Sequence, residues 1–207
     1  MVITKYLKKI KMTFFLLLMG LAGCAIKLPP IAHYTLSAAD STPLNLEGRT
    51  DLSLLVNQTT SAPGYDTNRV IYMTRPLQLQ SYPLQQWVSP PAQMLSQIMV
   101  EAIRQTDYFH AITTSSFSAS SDFRLESRLI KLQQVYLANC SQIQLSLWAT
   151  LIDNSNHKVL ATKTFQVVVP ANADSYSGVV AANLAAQTLS KRVADFVVTE
   201  VKNNVNN

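Results

Sequence analysis

The 207-residue chain carries 17 Lys and Arg against 12 Asp and Glu, a formal net charge of +5, and 48% of its residues are hydrophobic. Four of the cations, Lys5, Lys8, Lys9 and Lys11, precede Cys24 and every acidic residue follows it, so the chain from Cys24 onward holds thirteen cations against twelve anions. That balance lacks the concentrated basic footprint of a nucleic-acid surface, and no nucleic-acid partner is expected.

Behind the basic leader, residues 12–21 are an uncharged apolar run. A spanning helix needs roughly 20 apolar residues, whereas about ten match the core of a secretory signal peptide. Ala22 and Gly23 supply the small residues of a cleavage site. Leu21-Ala22-Gly23-Cys24 resembles the bacterial lipobox. The resemblance implies that residues 1–23 are removed, that the Cys24 thiol receives a diacylglycerol, and that the new amino terminus is acylated. Two or more acyl chains hold a protein stably on a membrane surface without spanning it. The alternatives are an uncleaved anchor or a buried cytosolic cysteine. Ala25 stands where an aspartate would retain such a protein at the inner membrane, which by similarity to enterobacterial sorting favours the outer membrane. No later stretch approaches about 18 uninterrupted apolar residues, so the rest reads as one domain with its own core.

Residues 24–32, with Pro29-Pro30, read as a lipidated, extended tether of at most about 26 Å. A short strand is predicted at 33–36 and another at 52–56, followed by a loop over 57–68 around Pro63-Gly64. Strands at 69–73 and 77–82 flank Arg75-Pro76. Ser89-Pro90-Pro91 marks a helix start, with the Ser89 hydroxyl as cap. Met94, Leu95, Ile98, Met99, Ala102 and Ile103 then share one face until 105–107. A strand at 109–112 and a turn-rich stretch at 113–121 follow. Residues 123–137 read as one long strand with a defect at Gln133-Gln134. Ile143, Leu145, Leu147, Ala149 and Leu151 alternate cleanly, Asp153 to Asn156 make a turn, and the strand at 159–169 stops at Pro170. Residues 175–201 form the last helix, with Ala182, Ala185, Ala186, Leu189, Val193, Phe196 and Val197 on its apolar stripe. Residues 202–207 read as a disordered tail. The domain, 33–201, is expected to be α+β: a single domain with an antiparallel or mixed sheet and two main helices packed on one face.

The chemistry is sparse. His33, His110 and His157 have no second ligand at metal spacing, and His110 is expected to be half-buried. Beyond Cys24 only Gly48, Gly64 and Gly178 remain, so the glycine-rich phosphate and nucleophile motifs are absent. Serines abound without a pointer to a base. No enzyme, metal or cofactor is expected. With Cys24 acylated, Cys140 has no partner for an intramolecular disulfide and is expected to be buried. Tyr65, Tyr72, Tyr82, Trp87 and Tyr108 cluster in the middle third with Arg69 and Arg75, a composition that either meets a partner or packs the core.

"APGYDTNRVIYM" (62–73), "YPLQQWVSPPAQML" (82–95), "TDYF" (106–109), Tyr34-Thr35-Leu36 and "LIDNSNHKVLATKTF" (151–165) together resemble, in order, the ABC-type transport auxiliary lipoprotein family. The chain departs from it at Thr106-Asp107, where the family usually has a glycine, and at Arg75-Pro76. The resemblance implies a lipid-anchored adaptor, facing the periplasm of a Gram-negative cell, for a system that moves lipid or solvent between the two membranes. The implied partner is a mammalian-cell-entry domain protein, docked at the outer membrane, and some relatives form ring oligomers. Tyr65, Asp66, Arg69, Tyr72 and Trp87 are the candidate partner contacts, and Cys24 the candidate lipidation site. Two other readings stay open: an envelope-assembly lipoprotein that scaffolds or activates a cell-wall enzyme, and a secreted hydrolase with an unrecognised serine site.

Overall fold

Alternating apolar and polar residues build a sheet with one covered face, and two amphipathic segments supply the cover. The computed structural model describes residues 29–38, 50–114, 121–138 and 140–206. Cys24 and the proposed signal peptide lie outside the described residues, as do residues 115–120 of the turn-rich stretch. In chain order the elements are β1 (Ala32–Tyr34), β2 (Ser53–Val56), β3 (Thr60–Ser61), β4 (Arg69–Met73) and β5 (Gln80–Trp87). Helix α1 (Pro91–Arg104) and β6 (Ala111–Thr113) follow, then β7 (Phe123–Tyr136), β8 (Ser141–Asp153), β9 (Lys158–Ala171) and α2 (Ser175–Val205).

The sheet is mixed. β7, β8 and β9 form the expected antiparallel meander. On the other edge of β7 the chain from β2 to β4 runs parallel to it, pairing Leu54 with Phe123, then Thr60 with Arg128, then Tyr72 with Gln134. β5 adds antiparallel to β4, β1 adds parallel to β5, and β6 adds parallel to β2. Both helices are amphipathic and lie on one face. Between helices and sheet sit Leu95, Met99, Ile103, Leu125, Leu129, Leu145, Leu147, Leu189, Val193 and Val197, all at or near zero exposure. In α2 the small residues Ala182, Ala185 and Ala186 let the backbone approach the strands closely.

Several expectations are corrected. The first strand is shorter than 33–36, and the one expected at 77–82 begins at Gln80 and continues to Trp87. Leu77 instead holds a left-handed backbone (φ 68°) in the turn after Pro76, closed by the Gln78 N–H donating to the Arg75 carbonyl at 3.3 Å. Asp107 also has positive φ, 48°, at the place where the resemblance expects glycine; aspartate tolerates that region better than most residues. The N-cap of α1 is Pro90, without a side-chain hydrogen bond. Ser89 is therefore one residue too early to cap. α2 has the more usual start, with the Asp174 carboxylate accepting from the Ser177 N–H at 2.8 Å. It runs on to Val205, so residues 202–205 are helical rather than a disordered tail. Cys140 is exposed, because it lies between β7 and β8 and outside the alternation that buries their inward side chains.

The strand defect in β7 is at Ile130, between the pairs Leu129–Leu147 and Lys131–Ser146, and not at Gln133-Gln134. The glutamines pair regularly because their side chains are used. Gln134 is 2% exposed. Its carbonyl accepts from the Tyr82 hydroxyl at 2.9 Å, and its amide nitrogen donates to Ser141 Oγ at 2.7 Å and to the Asp174 carbonyl at 2.9 Å. Gly178, in the first turns of α2, packs directly on this amide, and a Cβ there would overlap it.

Ala is favoured over Gly in a helix interior by about 1 kcal/mol, so the sign of one substitution is diagnostic. Gly178→Ala should destabilise the domain by about 1–3 kcal/mol through overpacking against the Gln134 amide. Denaturant midpoints of wild type and variant read this directly.

Candidate functional site

The segment between β3 and α1 carries the residues nominated from sequence. Its entry is a tight turn in which the Tyr65 N–H donates to the Ala62 carbonyl at 3.1 Å, with Pro63 second and Gly64 third at φ +86°. These are the demands of a type II turn, which places proline and then glycine at its centre. The turn lays the Tyr65 ring on the sheet, where its hydroxyl donates to the Gln133 side-chain carbonyl. Burial pushes the Tyr65 phenol pKa up. Asp66 and Arg69 are exposed beside it. Arg69 pairs with Gln86, and Gln86 with His33, so the three form one cross-strand row.

The other two nominated residues go elsewhere. Trp87 is 2% exposed and belongs to the core with Val70 and Ile143, so it packs the fold and is not available to a partner. Tyr72 is half-buried: its ring stacks on Tyr82 at 4.4 Å and meets Tyr136 edge-on at 6.0 Å. The Tyr82 hydroxyl donates to Gln134, so Tyr136 donates to Tyr82. Desolvation, reinforced by the Tyr136 bond, drives the Tyr82 pKa far upward and keeps it a phenol. Tyr108, at 5% exposure, is also core. The structure thus divides the aromatic cluster: Tyr65, Asp66 and Arg69 remain on a surface, while Tyr72, Tyr82, Trp87 and Tyr108 are structural.

Two depressions among the described residues are open grooves. One, of about 610 Å³, lies between α1 and β2 and is lined by Gln58, Gln93, Gln97, Glu101 and Arg104. The other, of about 530 Å³, runs between β9 and α2, where Lys163 lies over the Phe165 and Phe196 rings at 5.4 and 5.8 Å, near Arg192 and Asp195. Amides and screened charges suit recognition of polar segments. The serine hydroxyls that reach carboxylates do structural work: Ser53 with Asp122 ties the start of β2 to that of β7, Ser155 with Asp153 closes a turn, and Ser177 with Asp174 closes a helix cap. The bonds from Ser155 and Ser177 hold both of those aspartate pKa values below the ordinary range. His33, His110 and His157 are all exposed, which corrects the half-buried expectation for His110. Among the described residues no three His, Cys, Asp or Glu side chains converge as a metal site.

One surface feature escaped the sequence reading. Tyr176, Val180 and Leu184, at successive i+4 positions of α2, are 63%, 54% and 53% exposed. The run of residues 175–190 that contains them has no charged side chain. Among the described residues no helix is long and apolar enough to cross a membrane.

Residues 34–197 match the family model of the ABC-type transport auxiliary lipoprotein component. No curated protein matches the sequence. Among solved structures, a protein of family DUF330 from Xanthomonas campestris is 21% identical with a TM-score of 0.77, covering 85% of this chain and 99% of its own. A second crystal structure, of an uncharacterized protein, is 18% identical with a TM-score of 0.62, covering 82% and 97%. These likenesses show the fold. A PelC dodecamer from Paraburkholderia phytofirmans aligns at 13% identity and a TM-score of 0.46, covering 77% of this chain and 92% of its own, too weak a likeness to carry an argument about assembly.

The division between surface and core predicts a split in stability. Trp87→Ala should cost about 3–5 kcal/mol through the cavity it leaves. Asp66→Ala and Arg69→Ala should stay within about 0.5 kcal/mol of wild type. Thermal or denaturant unfolding of the three variants checks both halves.

Proposed function

The chain belongs to the ABC-type transport auxiliary lipoprotein family, and on that premise we propose that it is a lipid-anchored periplasmic adaptor of an intermembrane lipid or solvent transport system. Cys24 carries the anchor, the outer membrane holds it, and the domain docks a mammalian-cell-entry domain protein. The observation that supports the reading most is the family match over residues 34–197 directly behind a lipobox. The sparse chemistry is in keeping with it: the polar clusters tie strands together, close turns, cap α2 or satisfy buried amides.

Within this reading the partner-facing residues are Asp66 and Arg69 with the edge of Tyr65. Asp66 follows the turn and Arg69 opens β4, both exposed, and two opposite charges beside an aromatic suit a polar docking rim. Tyr72 and Trp87 support that surface from behind.

Affinity purification from solubilised envelopes, with wild type and Cys24→Ser in parallel, tests the proposal. Wild type should fractionate with membranes and retain the mammalian-cell-entry protein, whereas Cys24→Ser should lose its acyl mass and its membrane fractionation. Wild-type preparations that repeatedly lack that protein and contain a cell-wall synthase instead would favour the envelope-assembly reading.

A further inference from the structure

The exposed apolar stripe on α2 lies where the tether joins the domain. β1 begins at Ala32, one residue after the exposed Ile31, and the ring of Tyr34 sits 6.2 Å from that of Tyr176. Ser37, just beyond β1, accepts from Gln187 through its carbonyl, and its N–H donates to Asn183 at 2.8 Å. The first residues of the domain are therefore bound along the same half of α2 that exposes Tyr176, Val180 and Leu184. Seven peptide steps separate Ile31 from Cys24, a reach of at most about 25 Å.

From this we infer that the N-terminal half of α2 lies against the bilayer that holds the anchor, with Tyr176, Val180 and Leu184 as its contact residues. The inference rests on the acylation of Cys24. Three features select a lipid surface as the occupant. The tether is too short to carry this part of the domain far from the anchor's bilayer. The face is uncharged from Ser175 to Ser190, so its approach to an apolar layer strips no ion of its water. Its composition is that of an interfacial helix face, with aliphatic side chains in the middle and a tyrosine, whose ring is apolar and whose hydroxyl is polar, at the end nearest β1. Lys191 follows the uncharged run on the same side of the helix as Val180 and Leu184, and offers an ammonium to lipid phosphates.

α2 starts beside the Ser141 end of β8, and the turn between β8 and β9 lies at the opposite end of a 13-residue strand, about 40 Å away. The residues of that turn, Asn154 to His157, are off the stripe and give the test its reference position.

The test uses the acylated mature chain in vesicles of phosphatidylethanolamine and phosphatidylglycerol. In a Cys140→Ser background, Val180→Cys, Leu184→Cys and Asn156→Cys each carry an environment-sensitive NBD label. Flotation with the vesicles reports the anchor, and NBD emission with quenching by nitroxide lipids reports the stripe. The expected result is flotation of all three, with labels at 180 and 184 blue-shifted from the label at 156 and quenched severalfold more strongly. Flotation with labels at 180 and 184 as wet as at 156 overturns the inference while leaving the anchor intact. Failure to float overturns both. A blue shift already present in Cys24→Ser chains without vesicles assigns the face to a second copy and overturns the lipid assignment.

Discussion

A buried primary amide must have both its oxygen and its nitrogen satisfied, or its burial costs more than the packing around it returns. In this domain Gln134 meets that condition at the junction of four segments. Tyr82 from β5 supplies the donor, Ser141 from β8 and the Asp174 carbonyl before α2 supply the acceptors, and β7 carries the amide itself. Only a glycine fits above it, and Gly178 is there. The joint fixes the rotation and depth of α2 over the sheet. That rotation sets which side of the helix is buried, and so which side remains to show Tyr176, Val180 and Leu184. The stacked tyrosines around Gln134 follow from the same requirement, since the Tyr82 hydroxyl that donates to Gln134 accepts in turn from Tyr136.

In the proposed adaptor, function divides across the two faces of one sheet edge. On the helix side, β1 and the first half of α2 meet at the point where the tether enters. On the other side, the row His33–Gln86–Arg69 and the turn carrying Tyr65 and Asp66 stay open. A short tether makes such a division useful, because a domain held near its membrane must offer its partner a face the membrane does not cover. Proteins anchored through long disordered segments have no comparable constraint, since their domains can rotate freely.

Much of this was legible in the sequence. The period-two runs from Ile143 to Leu151 and from Val159 to Val169 are long enough for alternation to decide their structure. The second strand is not stopped at Pro170 but runs to Ala171, as an edge strand allows. Pro63-Gly64 could only be a turn, and the small residues of α2 announced close packing. What was misread shares one cause: the partner was distant in sequence. Gln133-Gln134 looked like a strand defect because most of what satisfies the two amides is distant: besides Ser141 and Gln144 at the next strand, Tyr65, Tyr82 and Asp174 bond them from about 40 to 68 residues away. Trp87 could not be sorted from Arg69 by composition, because the register of β5 decides which side chain faces α2. The parallel pairing of β2, β3 and β4 with β7 is likewise invisible locally. The stripe on α2 went unnoticed because Val180 and Leu184 sit among alanines in an uncharged half-helix, where apolar periodicity does not tell an outer face from the buried one.

The central claim is that the two faces have different occupants, lipid on one and a transport partner on the other. Photo-crosslinking in intact envelopes tests it most directly, with p-benzoylphenylalanine introduced at Arg69 in one strain and at Val180 in another. The account predicts that the probe at 69 captures the mammalian-cell-entry protein and that the probe at 180 yields lipid adducts without it. Capture of that protein from position 180, with none from position 69, would contradict the account.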